Sequence, residues 1–147
     1  MPALDHDHYI VHYIVKNALI KEGWTITHDP LTLSYERRDL HVGLGAEQKV
    51  IGAERNSVKI AVEIKPFSGP SDVANLHNAT GQYIVYKSVL ELVEPERSLY
   101  LAIPDDVVQT FFRDDLGGLL VSKGTLMVIG YDPNTEVIKT WIPPQTS

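Results

Sequence analysis

The chain has 147 residues, 44% hydrophobic and 22% charged, the composition of one globular domain rather than of a disordered or low-complexity segment. It has no cysteine, which excludes disulfides, thiolate-bound zinc and cysteine nucleophiles and makes a reducing cytoplasm the expected setting. The net charge of −6 is uneven: residues 1–90 hold nine basic and ten acidic side chains and residues 91–147 four and nine, so a polyanion would have to meet the first 90.

In chain order, the opening MPALDHDHYIVHY carries acid where a signal peptide would carry Lys or Arg, and no apolar run downstream approaches the roughly 18 residues of a membrane span. Tyr9 to Glu22 reads as a helix, with Ile10, Ile14 and Ala18 along one side, Val11, Val15 and Leu19 beside them, and Gly23 as C-cap. Trp24–Thr27 and Leu31–Tyr35 read as short strands around the turn His28-Asp29-Pro30. Leu40–Leu44 alternates and reads as one strand, Lys49–Glu54 is ambiguous, and Val58–Lys65 is the clearest strand of all. Pro66 stops it. Ser71 is a fitting N-cap for a long helix to about Leu92.

Ser98–Ile103 is a short apolar strand, and Asp105 to about Phe112 a helix with acids in its first turn. Gly117-Gly118 reads as a turn, and Leu126–Tyr131 with Glu136–Trp141 as a closing hairpin around Asp132-Pro133-Asn134. No linker divides the chain, so residues 1–147 are expected to form a single domain. This order of elements implies an α/β fold with a mixed central sheet flanked by helices.

Chemistry concentrates on the strand Val58–Lys65. Side chains alternate along a strand, so Val58, Ile60, Val62 and Ile64 share a face expected to be buried against one helix. Lys59, Ala61, Glu63 and Lys65 share the other, expected to be wet at its end. A carboxylate and an ammonium two residues apart suit metal-dependent phosphodiester cleavage. The carboxylate holds Mg²⁺ and the lysine positions water or stabilises charge on the phosphate. The same pair is also an everyday ion pair on a half-buried strand. On the following helix Asn78, Gln82 and Tyr86 stack on one face and could brace such a site or serve only as solvated and core-edge residues.

Other clusters are weaker. Asp5, His6, Asp7, His8 and His12 crowd the N-terminus, and His8 and His12 have chelating spacing only if the helix begins early; a solvated, frayed start is the simpler reading. No glycine-rich nucleotide loop and no nucleophile elbow is present.

Long stretches of the sequence resemble one family. They are Val15-Lys16-Asn17-Ala18-Leu19-Ile20-Lys21-Glu22-Gly23-Trp24-Thr25-Ile26-Thr27, Leu44-Gly45-Ala46-Glu47, Ile60-Ala61-Val62-Glu63-Ile64-Lys65, Gly81-Gln82-Tyr83, Leu99-Tyr100-Leu101-Ala102 and Tyr131-Asp132-Pro133. They look like the XisH family, the fdxN element excision controlling factors of cyanobacteria. The resemblance implies a restriction-endonuclease-like fold of the PD-(D/E)XK type and a role in controlling excision of a DNA element during heterocyst development. It also implies DNA recombination by a separate recombinase, and a small XisI-type companion protein. By resemblance, Glu63 and Lys65 fall on the (D/E)XK pair, and Gln82 and Tyr86 on the Gln-x-x-x-Tyr helix element, making these four the candidate catalytic residues, with Mg²⁺ as the cofactor implied.

Two departures stand out. The family usually reads Val-Asp-Leu-Gly-Ala-Glu, but here Val42-Gly43-Leu44-Gly45-Ala46-Glu47 puts glycine where the first metal-binding aspartate belongs. In the first helix His12 is followed by Tyr13 rather than by an acid or amide. Without a carboxylate at 43, Glu63 would need help. Asp39 lies about 13 Å and His41 about 7 Å back along a strand. Glu47 and Glu54 are the better candidate metal ligands if the chain folds back past the site.

Three functions therefore stand open: an excision accessory factor with an impaired metal site, an active Mg²⁺-dependent DNA endonuclease using Glu63 and Lys65, and a non-catalytic protein-interaction scaffold. The net charge implies that any DNA affinity is modest and electrostatic.

Overall fold

The computed structural model describes residues 3–49 and 57–144. Helix α1 (Ala3–Lys21) leads into strands β1 (Thr25–His28), β2 (Leu31–Tyr35), β3 (Arg38–Val42), β4 (Leu44–Lys49) and β5 (Ser57–Ile64). Then come α2 (Asp72–Val93), β6 (Arg97–Pro104), α3 (Asp105–Asp114), α4 (Leu116–Ser122), β7 (Val128–Asp132) and β8 (Val137–Ile142). Helix α1 begins six residues before the expected start at Tyr9. The expected strand over residues 40–44 is instead divided at Gly43 between β3 and β4, which belong to different sheets.

The main sheet runs β1-β4-β5-β6-β7-β8, and β2 with β3 forms a separate antiparallel ribbon. Strands β5, β6 and β7 are parallel to one another, while β1, β4 and β8 pair antiparallel at the margins. This is the expected mixed α/β architecture. A parallel centre requires helical crossovers, which α2 and the α3–α4 pair supply.

Both faces of the centre are covered. Ile60 and Val62 pack with Val15, Leu19, Trp24 and Tyr131 beneath α1, where Trp141 stacks on Trp24 at 5.8 Å. Ala61, Leu101 and Ile103 pack on the other side with Tyr83, Leu90 and Phe112 from α2 and α3. The expected division of β5 into one dry and one wet face therefore needs correction: Ala61 is fully buried, while Val58, on the face expected to be dry, is 39% exposed at the strand's start. Double coverage also explains why Leu99 to Ile103 is an unbroken apolar run.

The Gly117-Gly118 turn is a second correction, since both glycines open α4. A Cβ at Gly117 would lie 2.7 Å from the Phe112 ring, so glycine is required by close approach of α4 to the end of α3. Among the described residues no helix is long and apolar enough to cross a membrane.

Candidate functional site

A cleft of about 300 Å³ opens at the carboxyl end of β5. Its walls are His12 from α1, Asp29 and Pro30 from the β1–β2 turn, His41 to Gly43 at the end of β3, and Glu63, Ile64 and Pro66. The register brings these together. Leu44 pairs with Val62, so the chain entering β4 lays Gly43 beside Glu63.

Glu63 and Lys65 are largely shielded, with side chains 12% and 18% exposed, and Lys65 Nζ stands 3.8 Å from Glu63 Oε2. The other carboxylate oxygen, Oε1, accepts a hydrogen bond from the backbone N–H of Gly43 at 3.0 Å. Burial raises the pKa of Glu63 above its ordinary value, against the pull of the Gly43 amide and the Lys65 ammonium. Tyr86 reaches the same locality, its phenol raised by burial and by the Glu63 charge. Gln82 is half-buried on the same helix, forms no hydrogen bond with Glu63, and leaves its Oε1 buried without a partner among the described residues.

The mouth of the cleft carries a charged network. His12 Nε2 lies 2.7 Å from Asp29 Oδ1, and Lys16 Nζ donates to Asp29 Oδ2 at 2.8 Å. Burial pushes Asp29 upward, but the Lys16 and His12 bonds together hold it below the usual carboxylate range. This pairing spans more than a turn of sequence, 17 residues for His12 and Asp29. No local spacing signals it, because an Asp-Pro turn and a helical His are unremarkable apart. The side chains of residues 3–8 lie outside what the structure describes, so the His8–His12 pairing has no geometry, and His12 is engaged by Asp29.

Of the expected auxiliary ligands, Glu47 pairs across the sheet with Lys59, four residues before Glu63 and about 13 Å along the strand. Asp39 accepts from Ser34 Oγ in the β2–β3 ribbon at 2.7 Å. Glu54 lies outside the described residues.

Magnesium demands near-octahedral oxygen ligands, typically one or two carboxylates with waters and substrate phosphate. Glu63 offers one oxygen already bonded to an amide and another facing an ammonium. Asp29 shares the cleft with both oxygens engaged. Among the described residues no three His, Asp or Glu side chains are grouped to hold a metal ion. The donor set therefore fits a tightly held Mg²⁺ poorly.

A residue that the sequence did not single out anchors the strands beneath the site. Arg97 is 6% exposed and its guanidinium donates to the carbonyl of Ile60 at 2.8 Å, while Nε bonds Glu94 at 3.1 Å. Gly45 makes room for it, since a Cβ there would stand 3.3 Å from Arg97 Nη1 and 3.0 Å from His28 Nδ1.

The family model described as XisH protein matches residues 1–139. The crystal structure of an XisH family protein from Nostoc punctiforme PCC 73102 is similar, with a TM-score of 0.80 and 39% identity over 90% of this chain and 98% of that one. An fdxN element excision controlling factor protein from Anabaena variabilis is similar with a TM-score of 0.79 and 40% identity over the same shares. A search of curated proteins gives no match. The family match over nearly the full length and the agreement of the fold with both structures lead to one conclusion: the chain belongs to the XisH family.

Proposed function

We propose that the chain is a cytoplasmic accessory factor in the controlled excision of a DNA element, in keeping with its likeness to the fdxN element excision controlling factor protein of Anabaena variabilis, and that it is built on a PD-(D/E)XK-type scaffold whose metal site is impaired. The observation that carries the impairment is that Gly43, which lies in the cleft against Glu63, brings a backbone N–H but no side chain to it. A carboxylate at that position would share a dication with Glu63. Glycine supplies no such carboxylate, and the amide N–H cannot ligate metal in its place.

What remains is a shielded recess in which Lys65, the only ammonium beside Glu63 among the described residues, can meet a phosphate oxygen. The acidic C-terminal third repels a DNA strand, so contact falls to the basic side chains of residues 1–90. The partners in this reading are DNA, held modestly, and an XisI-type companion protein.

A second reading, an active Mg²⁺-dependent endonuclease using Glu63 and Lys65, draws support from the shielding of that pair and from Tyr86 beside it. Calorimetry with Mg²⁺ and Mn²⁺, run beside plasmid nicking on wild type and Glu63→Ala, separates the two. The accessory reading expects weak, Glu63-dependent metal binding and no efficient cleavage. Robust wild-type cleavage abolished by Glu63→Ala would establish the endonuclease instead. An excision assay in cells lacking the chain tests the role itself, and restoration by both wild type and Glu63→Ala is the expected result. Co-purification with the companion but no DNA retention at low salt would leave a protein-interaction scaffold.

A further inference from the structure

The β2–β3 hairpin stands apart from the main sheet, and both of its open ends border the cleft. Asp29 and Pro30 lead into β2, and His41 to Gly43 end β3; all line the wall beside Glu63. On one face of the hairpin Leu31, Leu33 and Val42 are buried in the core beneath α2. On the other, Thr32 Oγ1 lies 3.1 Å from His41 Nδ1, and Ser34 Oγ donates to Asp39 at 2.7 Å. These two cross-strand bonds stiffen the ribbon.

Leu33 is 2% exposed and Tyr35 47%, so the hairpin leaves the body of the protein between them. Tyr35 pairs with Arg38, which makes Glu36-Arg37 a two-residue turn. The tip therefore presents two neighbouring guanidiniums, Arg37 and Arg38, both exposed. Their lack of partners sets them apart. Arg97 is engaged by Glu94 and Ile60, and Arg113 donates to Gln109 Oε1 at 3.3 Å. Lys16 and Lys65 are paired with Asp29 and Glu63. Arg37 and Arg38 make no hydrogen bond or ion pair among the described residues. Of the two carboxylates nearby, Asp39 is on the opposite face of the strand from Arg38 and is held by Ser34, which leaves Glu36 in the turn.

We infer that the tip of this hairpin is a contact for the DNA backbone, Arg37 and Arg38 each meeting a phosphate oxygen of the duplex whose neighbouring phosphate meets Lys65. This rests on the DNA reading proposed above and adds the surface that aligns the duplex on the cleft. Three strand rises, about 10 Å, separate His41 in the cleft wall from Arg38, close to three base pairs at about 3.4 Å each. A guanidinium fork matches phosphate bidentately, and here no internal ion pair has to break before it does so. The stiff ribbon holds both arginines at a fixed offset from the cleft. Phosphate contacts of this kind set the register of a duplex without reading its sequence.

Fluorescence anisotropy of a labelled duplex with the full chain, across a sodium chloride series, tests this. In the double variant Arg37→Gln, Arg38→Gln the salt slope should fall by nearly two, about 0.9 for each lost contact, with affinity down about tenfold at low salt. Both side chains are exposed and unpaired, so the variant keeps its fold, and matching thermal melts verify it. Glu36→Gln should tighten binding roughly threefold by removing a charge that repels phosphate, a gain that no misfolded protein gives. Lys139→Gln, in the acidic third, should change neither slope nor affinity. Wild-type binding with the same slope and affinity in the double variant would overturn the contact and leave the DNA reading standing. Failure of the wild type to bind the duplex even at low salt would overturn both. Unchanged DNA affinity with loss of the co-purifying companion would overturn it too, giving the tip to a protein partner instead.

Discussion

The backbone N–H of Gly43 donates to Glu63 Oε1 across 3.0 Å, joining residues twenty apart at the floor of the cleft. With no side chain at 43, only this backbone donor meets Glu63 from that strand, so position 43 is the residue whose replacement tells most about the site.

Gly43→Asp should therefore raise Mn²⁺ affinity and any nicking activity together. The substitution meets one obstacle, since a Cβ at 43 would lie 2.9 Å from the carbonyl oxygen of Val62. A small shift of the β3–β4 junction is needed, and a loss of about 1 kcal/mol in stability should accompany the gain. Calorimetric titration with Mn²⁺ and a supercoiled-plasmid assay read the first effect, and urea melts the second. Unchanged Mn²⁺ affinity in a folded variant would count against Glu63 as a latent ligand.

Glu63→Gln should stabilise the protein near neutral pH. Burial raises the folded-state pKa of Glu63, so the unfolded chain releases its proton first as pH climbs. Wild-type stability consequently falls as pH rises from the ordinary carboxylate range through the raised pKa, then levels. Glutamine removes that loss while its side-chain oxygen still accepts from Gly43. Denaturant melts should show a gain of ~1 kcal/mol at about pH 7.5 that vanishes near pH 3.5, where Glu63 is protonated in both states. An equal gain at both pH values would mean that ionisation of Glu63 is not its cause.

Arg97→Ala should cost roughly 3 kcal/mol, because it strips the Ile60 carbonyl of its guanidinium donor and leaves space between β4, β5 and β6. Arg97→Lys should recover only part of this, since an ammonium lacks the planar fork that reaches Glu94 and Ile60 together. Thermal melts of the three proteins decide it, and a variant as stable as wild type would show the buried guanidinium to be dispensable.

Tyr83→Phe should cost roughly 1–3 kcal/mol, the cost of unpairing buried polar groups. The Tyr83 hydroxyl donates to the Leu99 carbonyl at 2.9 Å and accepts from the Met127 N–H at 3.2 Å, tying α2 to β6 and to the entry of β7. Burial pushes this phenol up to about 12, so it stays neutral across the physiological range. Faster amide exchange at Met127 in the variant, beside a lowered denaturation midpoint, is the expected observation.

If the chain meets DNA through its first 90 residues, retention should fall steeply with salt. Lys65→Glu and Lys59→Glu should weaken it, reducing the salt slope by about one each, whereas Lys139→Glu should not. Gel shifts across a salt series measure the slopes. Equal effects of all three would show that the charge asymmetry does not set the DNA-facing side.

The sequence by itself determined the elements whose signals are local. Alternation marked β5, an apolar run marked β6, Ser71 marked the start of α2, where its Oγ accepts from the Ala74 N–H at 3.1 Å, and Asp132-Pro133-Asn134 marked the last turn. Glu63 and Lys65 were expected on one face because residues two apart share a face along extended backbone, and Lys65, one residue past the end of β5, still points to Glu63. Tertiary structure decided the rest, because each remaining feature depends on which strand lies beside which. Alternation names two faces of β5 but cannot say that helices cover both. Nothing near Gly43 announces that its amide will lie against Glu63. That follows from the antiparallel register of β4 on β5, set by Leu44 opposite Val62. The two glycines that open α4 read as a turn because glycine's usual meaning is conformational. Here its meaning is steric, fixed by the Phe112 ring of the preceding helix. Likewise Arg97 and Asp29 are ordinary charged residues until the sheet order and the turn bring Ile60, 37 residues away, and His12, 17 residues away, within hydrogen-bonding distance.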